Sequence, residues 1–361
     1  MLRLRVFAAA AVAASLLGGT PAFAASSYFT FVPARFRTLE LTASSRALGE
    51  ICLSRDQMPD GTVCNPAYLP DVRDSTLVAR LYLGNGYSAL TTANDFINKP
   101  LSKETMQALF SGDNVVAVEG NVGLNFTTGG LSAEFAPYRV QYVSELHNPN
   151  FPVIDLHAAI ERSFVIAGGI PGGILDPNLR EFRFGTKARI LERKFVHGEF
   201  SFAQAGTDDP RDYLPSKKQT AFLLDPSIAW VGEKRPWKPR VSLGTKNVGF
   251  SSPSYDEYPN DVDLEAGVGV EPPVRFGRVR IGLDLVDLFR APTFEDRLRL
   301  GASYQVGLLE TMIGANASVF TFGLMFGLNF LQTAVVYEFF RDDLDGGGAE
   351  TRLSTELSIR L

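Results

Sequence analysis

The sequence predicts an all-β protein, an antiparallel transmembrane β-barrel of about 12–14 strands preceded by an irregular N-terminal segment containing short helices. Three observations predict it. Apolar and polar residues alternate along successive tracts from Asn114 onward. These tracts are about 9–12 residues long, the tilted span of a bilayer, whereas soluble strands average about 5–6. Glycine and aromatic residues are abundant, with 33 Gly, 27 Phe and 11 Tyr among 361 residues.

The first 24 residues predict a cleaved secretory signal peptide. Arg3 and Arg5 give a positive start, and Val6–Leu17 is a short apolar run. Ala22-Phe23-Ala24 then forms a small-residue cleavage pattern, so the mature chain is expected to begin near Ala25. The alternative is an N-terminal anchor helix, which the shortness of the apolar run and the cleavage pattern disfavour. Export predicts an oxidising compartment.

Cys52 and Cys64 are the only cysteines, so in that compartment they are expected to form a disulfide. Pro59-Asp60-Gly61 between them is typical turn sequence. A structural bridge is favoured over a redox site, because catalytic pairs are usually spaced Cys-x-x-Cys.

Residues 25–112 are predicted to form a separate N-terminal segment, either a plug or a periplasmic cover, together with the first strands. Tyr28–Val32 and Thr76–Leu83 have the alternation of short strands. Ser88–Phe96 and Ser102–Phe110 are helix-like, and Ser102 is a candidate N-cap.

Residues 113–361 are predicted to form the barrel. Val262–Val270 and Phe320–Phe330 alternate most regularly, each with one apolar and one polar face. Phe182–Leu191 and Phe195–Phe202 are counted as separate strands, and Arg240–Phe250 is counted as one strand. A soluble sandwich would place the apolar face inside, whereas a membrane barrel places it against lipid. Three features favour the membrane barrel. They are the length of the strands, the glycines on the polar face that suit a curved wall, and a final strand that runs to Leu361.

The polar faces of these strands carry charges of both signs. They are expected to line the lumen, either as a rigid network of salt bridges or as a pathway for polar solutes. The lumen-facing candidates are Asp155, Glu161, Arg183, Lys187, Arg189, Asp263, Glu265, Arg278, Arg280, Asp284, Arg297, Arg299 and Glu356.

No catalytic, cofactor or metal site is predicted. The motifs G-x-S-x-G and H-E-x-x-H do not occur in the sequence. His147, His157 and His197 are isolated along the chain. The net charge of −5 offers no basic surface for nucleic acid. We therefore expect neither an enzyme nor a nucleic-acid-binding protein.

Two short motifs near the N-terminus resemble the start of the long-chain fatty-acid transporter (FadL-like) superfamily, including its PorV-like and TraF-like branch. They are Ser45-Arg46-Ala47-Leu48-Gly49 and Asn65-Pro66-Ala67. Thr245–Gly249, Leu283–Phe289 and Leu298–Ala302 are similar to later strands of that group. Glu50 departs from the pattern, because a second glycine is usual there. The resemblance implies a barrel of about 14 strands, and one such fold serves several functions.

The functional expectation is an outer-membrane barrel of a Gram-negative bacterium, surrounded by outer-membrane lipid and requiring no cofactor. It is expected to be a channel or transporter for small hydrophobic solutes. The alternative is a non-conducting scaffold or accessory protein of a secretion, conjugation or surface-assembly system. A soluble periplasmic β-protein is the third hypothesis.

Overall fold

A single closed sheet forms the body of the protein. The computed structural model describes residues 42–84, 115–147, 153–201, 204, 214–255, 260–289, 291, 293–328, 330–340 and 351–361. Each strand pairs antiparallel with its neighbours, β5 pairs with β6, and β1 (Thr76–Gly84) pairs with β15 (Thr351–Arg360). These pairings close a 14-strand antiparallel barrel, which confirms the predicted fold class.

The strands follow one another in order around the barrel. The remaining strands are β2 Val115–Thr128, β3 Leu131–His147, β4 Val153–Pro171, β5 Phe182–Ser201, β6 Lys217–Val231, β7 Arg240–Lys246, β8 Val248–Ser252, β9 Asp263–Val270, β10 Arg278–Leu285, β11 Leu298–Val306, β12 Leu309–Asn316, β13 Val319–Gly327 and β14 Leu331–Phe340. The helices are short: α1 Ala43–Ala47, α2 Gly172–Leu175, α3 Phe294–Arg297 and the 3-10 helices Pro66–Asp71 and Pro177–Leu179. Among the described residues, no helix is long and apolar enough to cross a membrane.

Two strand predictions need correction. Phe182–Leu191 and Phe195–Phe202 are not separate strands, because β5 runs through both and pairs with β4 without interruption. The polar run Glu192-Arg193-Lys194 between them does not end the strand, since alternation continues through it. Conversely, the tract around Asn247 is broken into β7 and β8, which both pair with β6. These two strands share one position in the barrel wall, so the 15 strands make a 14-strand barrel.

The strand expected at Thr76–Leu83 is present as β1, and it completes the barrel between β2 and β15. The expected signal peptide, Tyr28–Val32 and the helix-like tracts Ser88–Phe96 and Ser102–Phe110 lie outside the described residues.

The outer face of the barrel carries an exposed apolar belt. Leu124, Phe164, Val268, Phe322 and Leu357, each on a different strand, are all at least 41% exposed. Exposure of so large an apolar surface to water is unfavourable. An apolar outer face of this kind is typical of membrane barrels, in which it contacts lipid. The alternating residues on the other face are largely buried and polar.

The two ends of the barrel differ. At one end the connections range from two residues, as between Thr128 and Leu131, to residues 172–181 between β4 and β5. At the other end β1 and β2 are separated by residues 85–114, and β5 and β6 by residues 202–216. Short turns face the periplasm and longer loops face the exterior in outer-membrane barrels. We therefore call these the periplasmic and extracellular ends.

Candidate functional site

The lumen is occupied by the chain that precedes the first strand. We call Thr42–Val72 the plug. Its helix α1 packs against β12–β15, and its 3-10 helix packs against β3–β6. Residues between these helices bond to β10, β11 and β12. Because its contacts fall on the inner faces of strands all around the barrel, the plug fills the lumen instead of covering one mouth.

A disulfide closes the central part of the plug. Cys52 and Cys64 are bonded, as the sequence predicted, with their Cα atoms 5.4 Å apart. Beside the bridge, the fully buried Asp284 of β10 accepts hydrogen bonds from the backbone N–H groups of Cys52 (2.5 Å), Leu53 (2.7 Å) and Ser54 (2.8 Å). A carboxylate accepting several N–H groups makes strong, charge-assisted bonds. Asp284 therefore fastens the disulfide-closed loop to the wall.

The motif Ser45–Gly49 forms the second attachment. Thr42 caps α1 by accepting the N–H of Ser45. Arg46 then pairs with Glu119 of β2 (2.6 Å) and with Glu50 (2.7 Å). Glu50, the departure from the family-like pattern, also lies 3.6 Å from Arg299 of β11. This residue therefore extends the ion-pair network to a second part of the wall.

Two further polar side chains of the plug bond to the wall. Arg55 is buried and pairs with Glu310 of β12 at 2.8 Å, while its other terminal nitrogen donates to Ser303. Asn65 accepts the N–H of Ala67, which caps the 3-10 helix, and also accepts the hydroxyl proton of Ser227 on β6. The second family-like motif therefore begins the helix and attaches it at the same time.

Glycines on the inner face let the plug backbone approach the wall closely. A Cβ added at any of several glycines would come within 3.0 Å of a plug atom, which real side chains essentially never show. They are Gly169, Gly185, Gly267, Gly269, Gly282, Gly301, Gly314 and Gly323. From the sequence, glycines on the polar face were expected to suit a curved wall. The structure gives them a different role, since they are the surface on which the plug rests.

The predicted lumen residues fall mostly on the buried face of the wall. Buried are Asp155, Glu161, Arg183, Arg189, Asp263, Glu265, Asp284 and Glu356, and half-buried are Lys187, Arg280 and Arg299. Two are placed differently. Arg278 is exposed at the periplasmic end of β10. Arg297 ends helix α3 and donates to the carbonyl of Ala291, because the capping box at Thr293 begins a helical turn there.

Charged side chains of the wall pair with one another beside the plug. Arg193 donates to Glu161 at 2.7 Å, and Arg189 lies 2.8 Å from Asp225. The lumen-facing residues predicted from the sequence did not include Arg193, Asp225 or Glu310, although alternation places all three on polar faces. The lumen is therefore braced by salt bridges as well as plugged.

A charged vestibule opens at the periplasmic end. This cavity of about 650 Å³ is lined by residues that include Asp56, Asp71, Arg240, Glu271 and Arg278. Burial opposes ionisation of Asp56, but nearby arginines, Arg240 foremost, outweigh it and hold its pKa below the ordinary value. Burial raises the pKa of Asp71 despite its hydrogen bond from Arg183. The vestibule is therefore lined by charges of both signs, and the plug residues Asp56 and Asp71 form part of its wall.

A second cavity lies between the plug and an irregular part of the wall. Strand β6 pairs with β7 as far as Ser227 and with β8 from Leu224, so the ladder is broken between these two residues. Asn247, at φ +62°, sits in this break, and its N–H donates to Asp225 at 2.8 Å. A cavity of about 70 Å³ borders it, lined by Pro226, the disulfide and other residues. A bulge here interrupts the ladder next to the lumen, as bulges near functional sites often do.

His157 and His197 are not isolated in the folded chain. They are cross-strand partners on β4 and β5, and Asp155 lies beside them. The pairing register brings them together across 40 residues of sequence (197 − 157 = 40), which no local pattern in the sequence indicates.

No protein-family model and no curated protein sequence matches this chain. Among solved structures, it is similar to the toluene transporter TodX of Pseudomonas putida, at 8% identity and a TM-score of 0.46, over 89% of this chain and 96% of that one. It is also similar to the monoaromatic hydrocarbon channel CymD, at 10% identity and a TM-score of 0.45, over 90% of this chain and 98% of that one. A weaker similarity joins it to the outer membrane phospholipase A of Escherichia coli, at 10% identity and a TM-score of 0.34, over 79% and 92% of the two chains.

Proposed function

We propose that the protein is an outer-membrane channel for small hydrophobic solutes, closed by its own plug. The observation that carries the proposal is the plug inside a lipid-facing barrel, with a cavity between plug and wall at the break in the β6–β7 ladder. A filled lumen does not suit free diffusion of polar solutes. In the proposed arrangement residues 1–24 direct export, and the plug belongs to the N-terminal segment 25–112.

The cavity limits what can pass in this conformation. Its volume of about 70 Å³ is smaller than the roughly 150 Å³ that admits benzene in a protein interior. Passage of even a small aromatic molecule therefore requires the plug to shift against the wall. The bonds of Asp284, Arg46 and Arg55 set the free energy of that shift.

The proposal is tested by uptake in Gram-negative cells, whose lipopolysaccharide excludes apolar molecules. Cells expressing the barrel should take up the apolar fluorophore N-phenyl-1-naphthylamine faster than cells with an empty vector. Hydrolysis of the polar substrate nitrocefin by periplasmic β-lactamase should stay unchanged. Faster entry of both compounds would indicate an open pore and contradict the proposal.

A non-conducting scaffold is the second candidate, and the extent of plug attachment favours it. The plug bonds to strands around the whole barrel, so the closed state is strongly held. If neither compound enters faster at equal barrel levels, transport is rejected. Crosslinking in intact membranes should then recover envelope proteins with the barrel, as expected for a secretion or surface-assembly accessory.

A further inference from the structure

Two imidazoles and one carboxylate converge near the extracellular end of the β4–β5 hairpin. His157 and His197 are direct partners in the ladder, and their rings stack with centroids 3.8 Å apart and planes 24° from parallel. Asp155 precedes His157 by two residues, so both side chains lie on the same face of β4. Asp155 and His157 are buried, and the side chain of His197 is 31% exposed.

The ligand atoms are spaced for a metal ion. Nε2 of His157 lies 3.2 Å from Oδ1 of Asp155, and Nε2 of His197 lies 3.7 Å from the same oxygen. One ligand atom from each of the three residues falls within 4.8 Å of the others. A tetrahedral zinc site with bonds of about 2.0–2.1 Å separates its ligands by about 3.3 Å. The two ring planes are 24° from parallel, so the rings must rotate for both nitrogen lone pairs to point at one ion.

The shared oxygen is poorly satisfied without an ion. Among the described residues, none donates a hydrogen bond in suitable geometry to the buried Oδ1 of Asp155. Within the described ranges, no arginine or lysine pairs with this carboxylate; its ion-pair contacts there are the two histidines. This contrasts with Glu161 on the same face, which pairs with Arg139 and Arg193. A buried acceptor of this kind calls for a bound ion or water.

The cluster lies beyond the exposed apolar belt, and the side chain of His197 is its solvent-accessible member. On the outer face Arg162 and Glu192 are exposed cross-strand partners, and Phe164 and the other belt residues of β4 begin beyond them. His157 is five residues from Arg162 on the extracellular side, about 16 Å along the strand. Glu199, opposite Asp155 in the ladder, is exposed next to the cluster.

We propose that Asp155, His157 and His197 bind a divalent transition-metal ion of the Zn²⁺ class. Imidazole and carboxylate ligands suit Zn²⁺, Ni²⁺ and Cu²⁺ better than Ca²⁺ or Mg²⁺. Three protein ligands leave a fourth position for water or for the carboxylate of Glu199. The ion crosslinks β4 and β5 where the strands extend beyond the membrane. The proposal is independent of what the lumen conducts.

The test uses the full-length protein in detergent micelles, without a histidine tag and stripped with EDTA. Zn²⁺ titrated against a chromogenic chelator should show one equivalent bound with a Kd in the micromolar range or tighter. Co²⁺ in its place should give the intense visible absorption of a tetrahedral site. Affinity should fall in acidic buffer, because metal ligands must be deprotonated to bind an ion.

Variants identify the ligands. His157→Gln and His197→Gln should each weaken binding by about 100-fold or more, since loss of outer-shell partners alone costs 10–100-fold. Asp155→Asn should also weaken it, whereas Asp176→Asn, in the connection at the periplasmic end of the same hairpin, should not. Heat-modifiable gel mobility checks that each barrel is folded. The proposal is overturned if the wild-type protein binds no Zn²⁺ or Co²⁺ below about 100 µM, a free energy near −5.5 kcal/mol, or if both histidine variants bind normally.

Discussion

Replacing Asp284 with asparagine should loosen the plug without unfolding the barrel. Oδ2 of Asp284 accepts the N–H groups of Cys52 and Leu53, and Oδ1 accepts that of Ser54. An asparagine retains one acceptor oxygen and presents an amide donor in place of the other, so at least one N–H loses its partner. Hydrogen bonds to charged groups contribute about 1.5–3 kcal/mol each. A loss of about 3 kcal/mol raises the undocked population roughly 150-fold.

Limited proteolysis measures this population. Trypsin can cleave after Arg55 only when the plug leaves the lumen, because that side chain is buried against Glu310. When undocking is fast relative to cleavage, the cleavage rate follows the undocked population. The rate should therefore rise by about two orders of magnitude in Asp284→Asn.

Asp263→Asn is the matched control. This buried carboxylate on β9 accepts the N–H groups of Leu264 and Phe289, neither of which belongs to the plug. Its variant should be cleaved at the wild-type rate. Wild-type resistance of Asp284→Asn, or equal sensitivity of both variants, would contradict the role given to Asp284.

Three other perturbations test the same arrangement. Gly314→Ala places a methyl group against the plug backbone and should speed plug cleavage. Gly123→Ala should not, because the added Cβ would lie 3.8 Å from the nearest atom, the carbonyl oxygen of Phe135. Leu324→Arg puts a charge in the exposed belt and should destabilise the barrel folded in liposomes by about 2–4 kcal/mol. Urea titration followed by gel mobility measures this change. The same change at Ile174, which is exposed in the connection between β4 and β5, should have little effect. Reducing the Cys52–Cys64 bond should destabilise the docked plug by about 3 kcal/mol, and an unchanged cleavage rate in reductant would contradict this.

The alternation of side chains, together with the length of the strands, predicted the fold. Period two is a local property of each strand, so it assigned Leu324 to the outer face and Asp284 to the inner face before any pairing was known. The cysteine pair was predicted for a similar reason, since only one pairing exists. The strand division at Glu192–Lys194 was wrong because a polar run on a long strand resembles a turn.

The partners of the inner residues could not be predicted. Alternation states which face Asp284 occupies, but the plug segment that it binds lies more than 200 residues earlier in the chain. The same holds for Arg55 and Glu310, and for the glycines under the plug, whose role depends on a backbone far away in sequence.

The sequence by itself determined a β-barrel with an apolar outer face and a charged inner face, because hydrophobic periodicity and turn chemistry act over a few residues. Only the tertiary structure decided that the plug Thr42–Val72 fills the lumen and that His157 and His197 meet beside Asp155. Those arrangements depend on ladder register and on barrel closure. One residue of register shift would turn every inner side chain outward, so the register is fixed by the whole sheet and not by any single strand.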